Sequence, residues 1–295
     1  MNVGSALLEL ALRDGAGGIA VVGTGKNVGK TVTTRALLGA LRGRCVGLTS
    51  IGRDGEAIDI GDARAKPRLR LDSGTILATA RAVLPASPAS EILETSELMT
   101  AAGPLLYARV RGEAYFEILG APTASGVRAS LAKLRALGAE ITLLDGAIDR
   151  VAALAGGDDA IVVATGAATA ATIEDAVEEV RALVARLTVA RVDEREPALR
   201  LEGALTATLA ADLFSRGETR QVVVRDPTQI ALTGKAFDGA ARRLDLRCER
   251  PLRVVAVTAA SIGRDRYFDP AAFSHAVALA TGLPTFDVYA GSRAA

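Results

Sequence analysis

The chain has 295 residues, enough for one large α/β domain or two modest ones with complete cores. A formal net charge of +1 and an aromatic content of 3% give neither the basic surplus nor the stacking surface of a nucleic-acid binder. No apolar stretch reaches the roughly 18 uncharged residues of a membrane span, and the two distant cysteines, Cys45 and Cys248, suit neither a disulfide framework nor a metal site. Glu9, Arg13 and Asp14 interrupt the first apolar segment, unlike a signal peptide, so a cytoplasmic chain without membrane association is expected.

Residues 5–13 have helical periodicity. Ile19-Ala20-Val21-Val22 reads as a buried strand, and Thr31 to Leu41 as a helix whose inner face carries Val32, Leu37, Leu38 and Leu41. Cys45 to Thr49 is a second short strand, followed by a loop over 50–56. Ser73 has the character of an N-cap, predicting a helix as far as Val83 that the Pro85–Pro88 segment ends. From about 91 to 119 the pattern turns antiparallel, with Leu105–Val110 and Ala114–Leu119 flanking Arg111-Gly112-Glu113 as a hairpin. A helix over Ser125–Leu137 stops at Gly138, and Ile141–Leu144 runs as a strand into Asp145. A strand at Ala160–Ala164 and a helix at about Thr172–Leu187 precede the charged stretch 191–197, the best linker candidate. Beyond it come helices near 204–216, 228–244 and 270–280, with strands at 221–224, 253–257 and 285–288. Alternating β and α elements with continuous apolar strands predict an α/β fold with a doubly wound, mostly parallel sheet. The expected division is 1–195, carrying the antiparallel insertion at about 91–119, and a C-terminal α/β region over 196–295.

Chemistry concentrates where the first strand meets a glycine-rich turn: Gly23, Thr24, Gly25, Lys26, Asn27, Val28, Gly29, Lys30, Thr31. Backbone N–H groups of such a turn, together with the following helix N-terminus, wrap polyphosphate oxygens. Lys30 adds a point charge, and the Thr31 hydroxyl suits a Mg²⁺ ion bridging the phosphates. The motif G-x-x-x-x-G-K-[ST] is missed by one residue, since Thr24 stands where its first glycine belongs. Carboxylates to complete the metal should follow later strands, and Asp54 and Asp145 are placed to do so with Thr31, with Glu117 a weaker third acid in the middle of the hairpin. Lys30 and Asp145 are the candidate catalytic pair. Lys26 is a second phosphate contact or a solvated side chain. The basic run Arg64, Lys66, Arg68 and Arg70 is a solvated surface or a binding patch, and the lone His275 is structural. Asp226-Pro227 is a weak candidate base contact, and no Asn-Lys-x-Asp guanine signature is present. Ser-Ile-Gly-Arg-Asp occurs at both 50–54 and 261–265, each time after an apolar strand.

The loop Gly-Thr-x-x-x-Val-Gly-Lys-Thr over 23–31 resembles that of dethiobiotin synthetase and the cobyrinate-amidase-like group, P-loop proteins of the SIMIBI class, which tolerate Thr at the departing position. The resemblance implies ATP with Mg²⁺ bound by Gly25 to Thr31, with Asp54 and Asp145 assisting the metal. Asp145-Gly146-Ala147 lacks the glycine pair that follows in dethiobiotin synthetase, which weighs against carboxylating-ligase chemistry. Position 25 is Gly, where the ParA/MinD-type branch has a further lysine. A wider set of segments, Thr49–Glu56, Lys66-Pro67, Ala108–Arg111, Glu117–Pro122, Leu144–Arg150, Asp269-Pro270 and Phe286–Val288, is similar to the small subunit of lysine 5,6-aminomutase reactivase. That similarity implies an ATP-dependent factor that restores an adenosylcobalamin-dependent aminomutase beside a second ATPase subunit. The alternative is an ATP-dependent ligase of the dethiobiotin-synthetase type acting on a small carboxylate. Related folds often dimerise, which makes a homodimer an option.

Overall fold

The computed structural model describes residues 2–13, 15–51, 68–85, 89–146 and 159–289. The fold is α/β, and most of the fourteen strands among the described residues pair in parallel. Contacts divide the chain into two compact units, Met1–Gly23 with Gly29–Ala153, and Thr24–Val28 with Leu154–Ala295.

In the first unit the strands are β1 (Gly18–Gly23), β2 (Val46–Ser50), β3 (Leu69–Leu71), β4 (Ile76–Ala80), β5 (Ser90–Thr100), β6 (Gly103–Val110), β7 (Ala114–Phe116) and β8 (Ile141–Asp145). Its helices are α1 (Val3–Leu12), α2 (Lys30–Ala40) and α3 (Ala124–Ala136). The large sheet runs here in the order β1-β8-β2-β4-β6-β5, with β1, β8, β2 and β4 parallel and β6 and β5 antiparallel at the edge. Every residue of β1, β2 and β4 is buried, as expected of continuous apolar runs covered on both faces. The crossover through α2 steps from β1 to β2, and the one through α3 steps back to β8. The strand order thus steps outward and then back, as in a doubly wound sheet. α2 packs with α1 and against β1 and β8, while α3 packs against β2, β4 and β8.

Two local expectations are corrected. The expected helix from Ser73 to Val83 is instead a turn, strand β4 and a single 3-10 turn over Arg81–Val83. Gly74 turns the chain at φ 94°, its N–H donating to the Val110 carbonyl. The run Ile-Leu-Ala-Thr-Ala then fills the slot between β2 and β6, so ladder pairing overrides the helix propensity of its alanines. The hairpin is also different. β6 pairs with β5, not with the segment after Gly112, and β7 leaves the large sheet to pair with β3. The cause is burial: Leu105, Leu106, Tyr107 and Ala108 are all inside, which makes β6 an interior strand needing a partner on each side.

In the second unit β9 (Ala160–Gly166), β13 (Arg253–Ala260) and β14 (Thr285–Asp287) run parallel, with β13 between the other two. They are covered by α4 (Ile173–Leu187) and α7 (Pro270–Thr281). α4 opens with a capping box, the Thr172 hydroxyl accepting from Asp175 N–H and the Asp175 carboxylate accepting from Thr172 N–H. A separate parallel sheet, β10 (Ala198–Arg200), β11 (Gln221–Val224) and β12 (Leu246–Cys248), builds its own core with α5 (Ala207–Ser215) and α6 (Gly234–Ala241). Val189, Leu213, Val222, Val224 and Phe237 are at its centre. The charged stretch 191–197 lies within this unit, where Val192 N–H donates to the Cys248 carbonyl and Asp193 N–H to Gln221 Oε1, both at 2.9 Å.

Candidate functional site

β1 is apolar to its last residue, so it runs to the carboxyl edge of the sheet without interruption and delivers Gly23 there. Thr24 N–H donates to the Ala164 carbonyl at 3.0 Å, and its hydroxyl lies 3.5 Å from Thr165 Oγ1. A side chain at 24 therefore has room and a polar neighbour, and the demand for glycine falls one position later. A Cβ at Gly25 would lie 2.5 Å from Thr169 Cγ2. The displaced glycine of the motif is thus placed by packing.

Asn27 adopts φ 60° and Gly29 φ 90°, two left-handed residues separated by Val28. Among the described residues Asn27 is the one non-glycine with positive φ, a conformation that costs free energy and concentrates at ligand-holding turns. Alternation of left-handed and ordinary backbone makes successive N–H groups converge on one concave point, which suits an anion. Gly29 is the N-cap of α2 and supplies no side-chain acceptor, so the helix begins without the capping bond that Ser, Thr or Asp would give. The positive end of the helix dipole is thus presented to a ligand.

Lys30 and Thr31 form the first turn of α2. Asp145 is the last residue of β8, in register with Val21 of β1 on one side and Ser50 of β2 on the other. Burial pushes its carboxyl up to about 6, against the opposing pull of the Lys30 ammonium and a hydrogen bond from Thr34. The Thr34 hydroxyl also donates to the Lys30 carbonyl at 3.1 Å. The Lys30 ammonium thus acts on Asp145 electrostatically, and Thr34, which the sequence did not single out, bonds to both residues. Its position four residues after Lys30 on the same helix face is the signal that could have found it.

Gly146 N–H donates to the Val21 carbonyl, and a Cβ there would lie 2.9 Å from that oxygen, so the chain leaves Asp145 along β1. A second clamp holds the segment after β7. Ser50 Oγ donates to the Ile118 carbonyl at 3.0 Å and accepts from Gly120 N–H, while Thr79 Oγ1 donates to the Glu117 carbonyl and accepts from Leu119 N–H. Glu117 therefore lies in this clamped segment at the ends of β2 and β4, not in the middle of a hairpin.

Asp54 lies outside the described residues, as do Arg64 and Lys66 of the basic run. Arg70 pairs with Glu113, Lys26 is exposed, and His275 is exposed on α7. Asp226 is committed to its own turn, accepting from Thr228 N–H at 3.0 Å and from the Thr228 hydroxyl. Of the repeated pentapeptide, the copy at 261–265 closes a turn in which Phe268 N–H donates to the Ser261 carbonyl and Gly263 N–H to the Arg266 carbonyl.

Among the described residues no group of three or more His, Cys, Asp or Glu could enclose a metal ion. The oxygen donors the sequence singles out among the described residues of this unit are the Thr31 hydroxyl and the Asp145 carboxylate. Two hard oxygens fit Mg²⁺, which keeps several waters and takes phosphate oxygens instead of an all-protein cage. No helix among the described residues is long and apolar enough to cross a membrane. Compared with family models, with curated proteins and with solved structures, the chain gave no significant match.

Proposed function

We propose that the chain is a P-loop protein that binds ATP with Mg²⁺ and hydrolyses it slowly as a reactivation or remodelling factor for an adenosylcobalamin-dependent aminomutase. The observation that carries the nucleotide part is the loop itself: left-handed Asn27 and Gly29 open an uncapped α2 whose first residue, Lys30, pulls electrostatically on the buried Asp145 carboxyl. In this reading Gly23, Thr24, Gly25, Lys26, Asn27, Val28 and Gly29 shape the phosphate cradle, and Lys30 neutralises charge on the terminal phosphates. Thr31 and Asp145 hold the metal, with Asp54 as the further carboxylate the sequence offers. The metal supplies charge neutralisation at the transferring phosphoryl group. What the chain contributes is positioning and electrostatic stabilisation of that group. The target is argued from the sequence similarity to lysine 5,6-aminomutase reactivase, which also brings a partner ATPase subunit; a cytoplasmic setting is argued from the charges in the first apolar segment.

Titration calorimetry with Mg-ATP tests the first part. Lys30→Ala is expected to lower affinity at least a hundredfold, and unchanged affinity would remove ATP from the proposal. A pull-down from the native cell tests the second, with co-purification of a cobalamin-dependent aminomutase expected. ATP turnover that requires a small carboxylate substrate instead of a partner protein would mark the chain as a ligase.

A further inference from the structure

The first unit holds a concave site at the end of α2 opposite Lys30. A cavity of about 690 Å³ opens at the amino-terminal ends of β2 and β4, beside the carboxyl end of α2. Ligands of open α/β sheets ordinarily bind at the opposite edge, beyond the carboxyl ends of the strands. Lys30 begins α2, while Leu38, Leu41 and the residues just after it line this cavity. The 11 residues of α2 set the two ends about 16 Å apart, too far for one reacting group to touch both.

Its lining includes five arginines, Arg35, Arg42, Arg44, Arg70 and Arg109, against one acidic residue, Asp72. Local bonding accounts for part of this. Arg42 lies 3.4 Å from Asp72, Arg70 pairs with Glu113, and Arg35 donates to the Arg68 carbonyl. Arg44 is exposed, and among the described residues it has no ion-pair partner. Arg109 is the least satisfied: one long bond of 3.5 Å reaches the Leu137 carbonyl, and its buried Nε has no acceptor.

A plain alternative is that these arginines answer the negative end of the α2 dipole. That end carries roughly half a charge, which one arginine already offsets. Counting Asp72, Glu113 and Glu140, whose carboxylate accepts from Cys45 N–H, against five arginines still leaves a surplus of two cations among the described residues around a concave, partly apolar space. Like charges held this close repel one another unless an anion sits among them, and the guanidinium fork matches phosphate and carboxylate oxygens alike. The volume is that of a small-molecule pocket.

We infer that this arginine-walled cavity is a binding site for a small organic polyanion, separate from the phosphate loop and linked to it by α2. The inference stands whether or not the loop binds ATP. It is tested by titrating sodium pyrophosphate and, separately, citrate into the full chain carrying Lys30→Ala, which removes the loop lysine. Saturable binding of at least one probe is expected. Adding Arg44→Glu should weaken that binding at least tenfold, whereas Arg216→Glu, at the C-cap of α5, should leave it unchanged. Pyrophosphate bound in preference to citrate would mark the natural ligand as a phosphate ester, and the reverse as a polycarboxylate. No saturable binding of either probe, or affinity indifferent to Arg44→Glu and to Arg42→Glu alike, would overturn the inference. Unchanged thermal melting of the Arg44→Glu protein distinguishes lost binding from lost folding.

Discussion

Asp145 shows how a single side chain records its surroundings. Burial holds its proton up to about pH 6, while the unfolded chain releases it near pH 3.9. Between those values the folded state binds more protons, so stability falls as pH rises from about 4 to about 6 and stays lower above. Asp145→Asn removes that loss. In EDTA at pH 8 the variant is expected to be more stable than the parent by up to about 3 kcal/mol, with the gap closing below pH 4. Urea denaturation at the two pH values measures it, and an equal gap at both would show that the carboxylate is not strained by burial. The same residue marks what was legible. A carboxylate ending a run of apolar residues is visible in the sequence, whereas the Thr34 hydroxyl that supports it comes from a helix that only packing brings to the end of β8.

At the scale of elements, α2 is the piece on which most depends. It begins in the phosphate loop, ends at the arginine-walled cavity, and packs against α1 so closely that a Cβ added at Gly4 would lie 2.0 Å from the Ala36 carbonyl oxygen. Gly4→Ala must push the two helices apart, and such overpacking typically costs about 1–3 kcal/mol. A lower denaturation midpoint at unchanged m-value is the expected reading, and a neutral effect would mean that the helices separate freely. Elements were legible where the period was unambiguous, as in β1, α3, β8, β9 and α4. They were misread where alanine-rich chain is enclosed on both faces. Ile76–Ala80 has the composition of a helix and the burial of a central strand, and no local rule reveals the neighbours that decide between them. The three-residue strands β10 and β12 were missed for a related reason, since each is too short to carry a period and exists only by pairing with β11.

At the scale of the whole molecule, stability and nucleotide binding are linked by mass action. If the loop takes Mg-ATP, a concentration one hundred times the dissociation constant adds about 2.7 kcal/mol to the folded state. In a chain of this size that raises the melting temperature by several degrees. Differential scanning fluorimetry should show the rise with Mg-ATP and none with Lys30→Ala, and a parent protein that ignores Mg-ATP would count against the nucleotide reading. The two compact units each bury their own apolar cluster. One gathers Ile76, Leu105, Tyr107 and Leu134, and the other Leu213, Val222, Val224 and Phe237.

The sequence alone determined the α/β class, the strand-loop-helix at 18–41 and the carboxylate at 145, because apolar periodicity, glycine at strained turns and charge at strand ends are local demands. Tertiary structure decided why glycine is required at 25 and not at 24, which strands pair with β6, that 117–120 is clamped by Ser50 and Thr79, and that five arginines surround one cavity. Each of these depends on residues far apart in the chain meeting at a few ångströms, and only the closed fold fixes such distances.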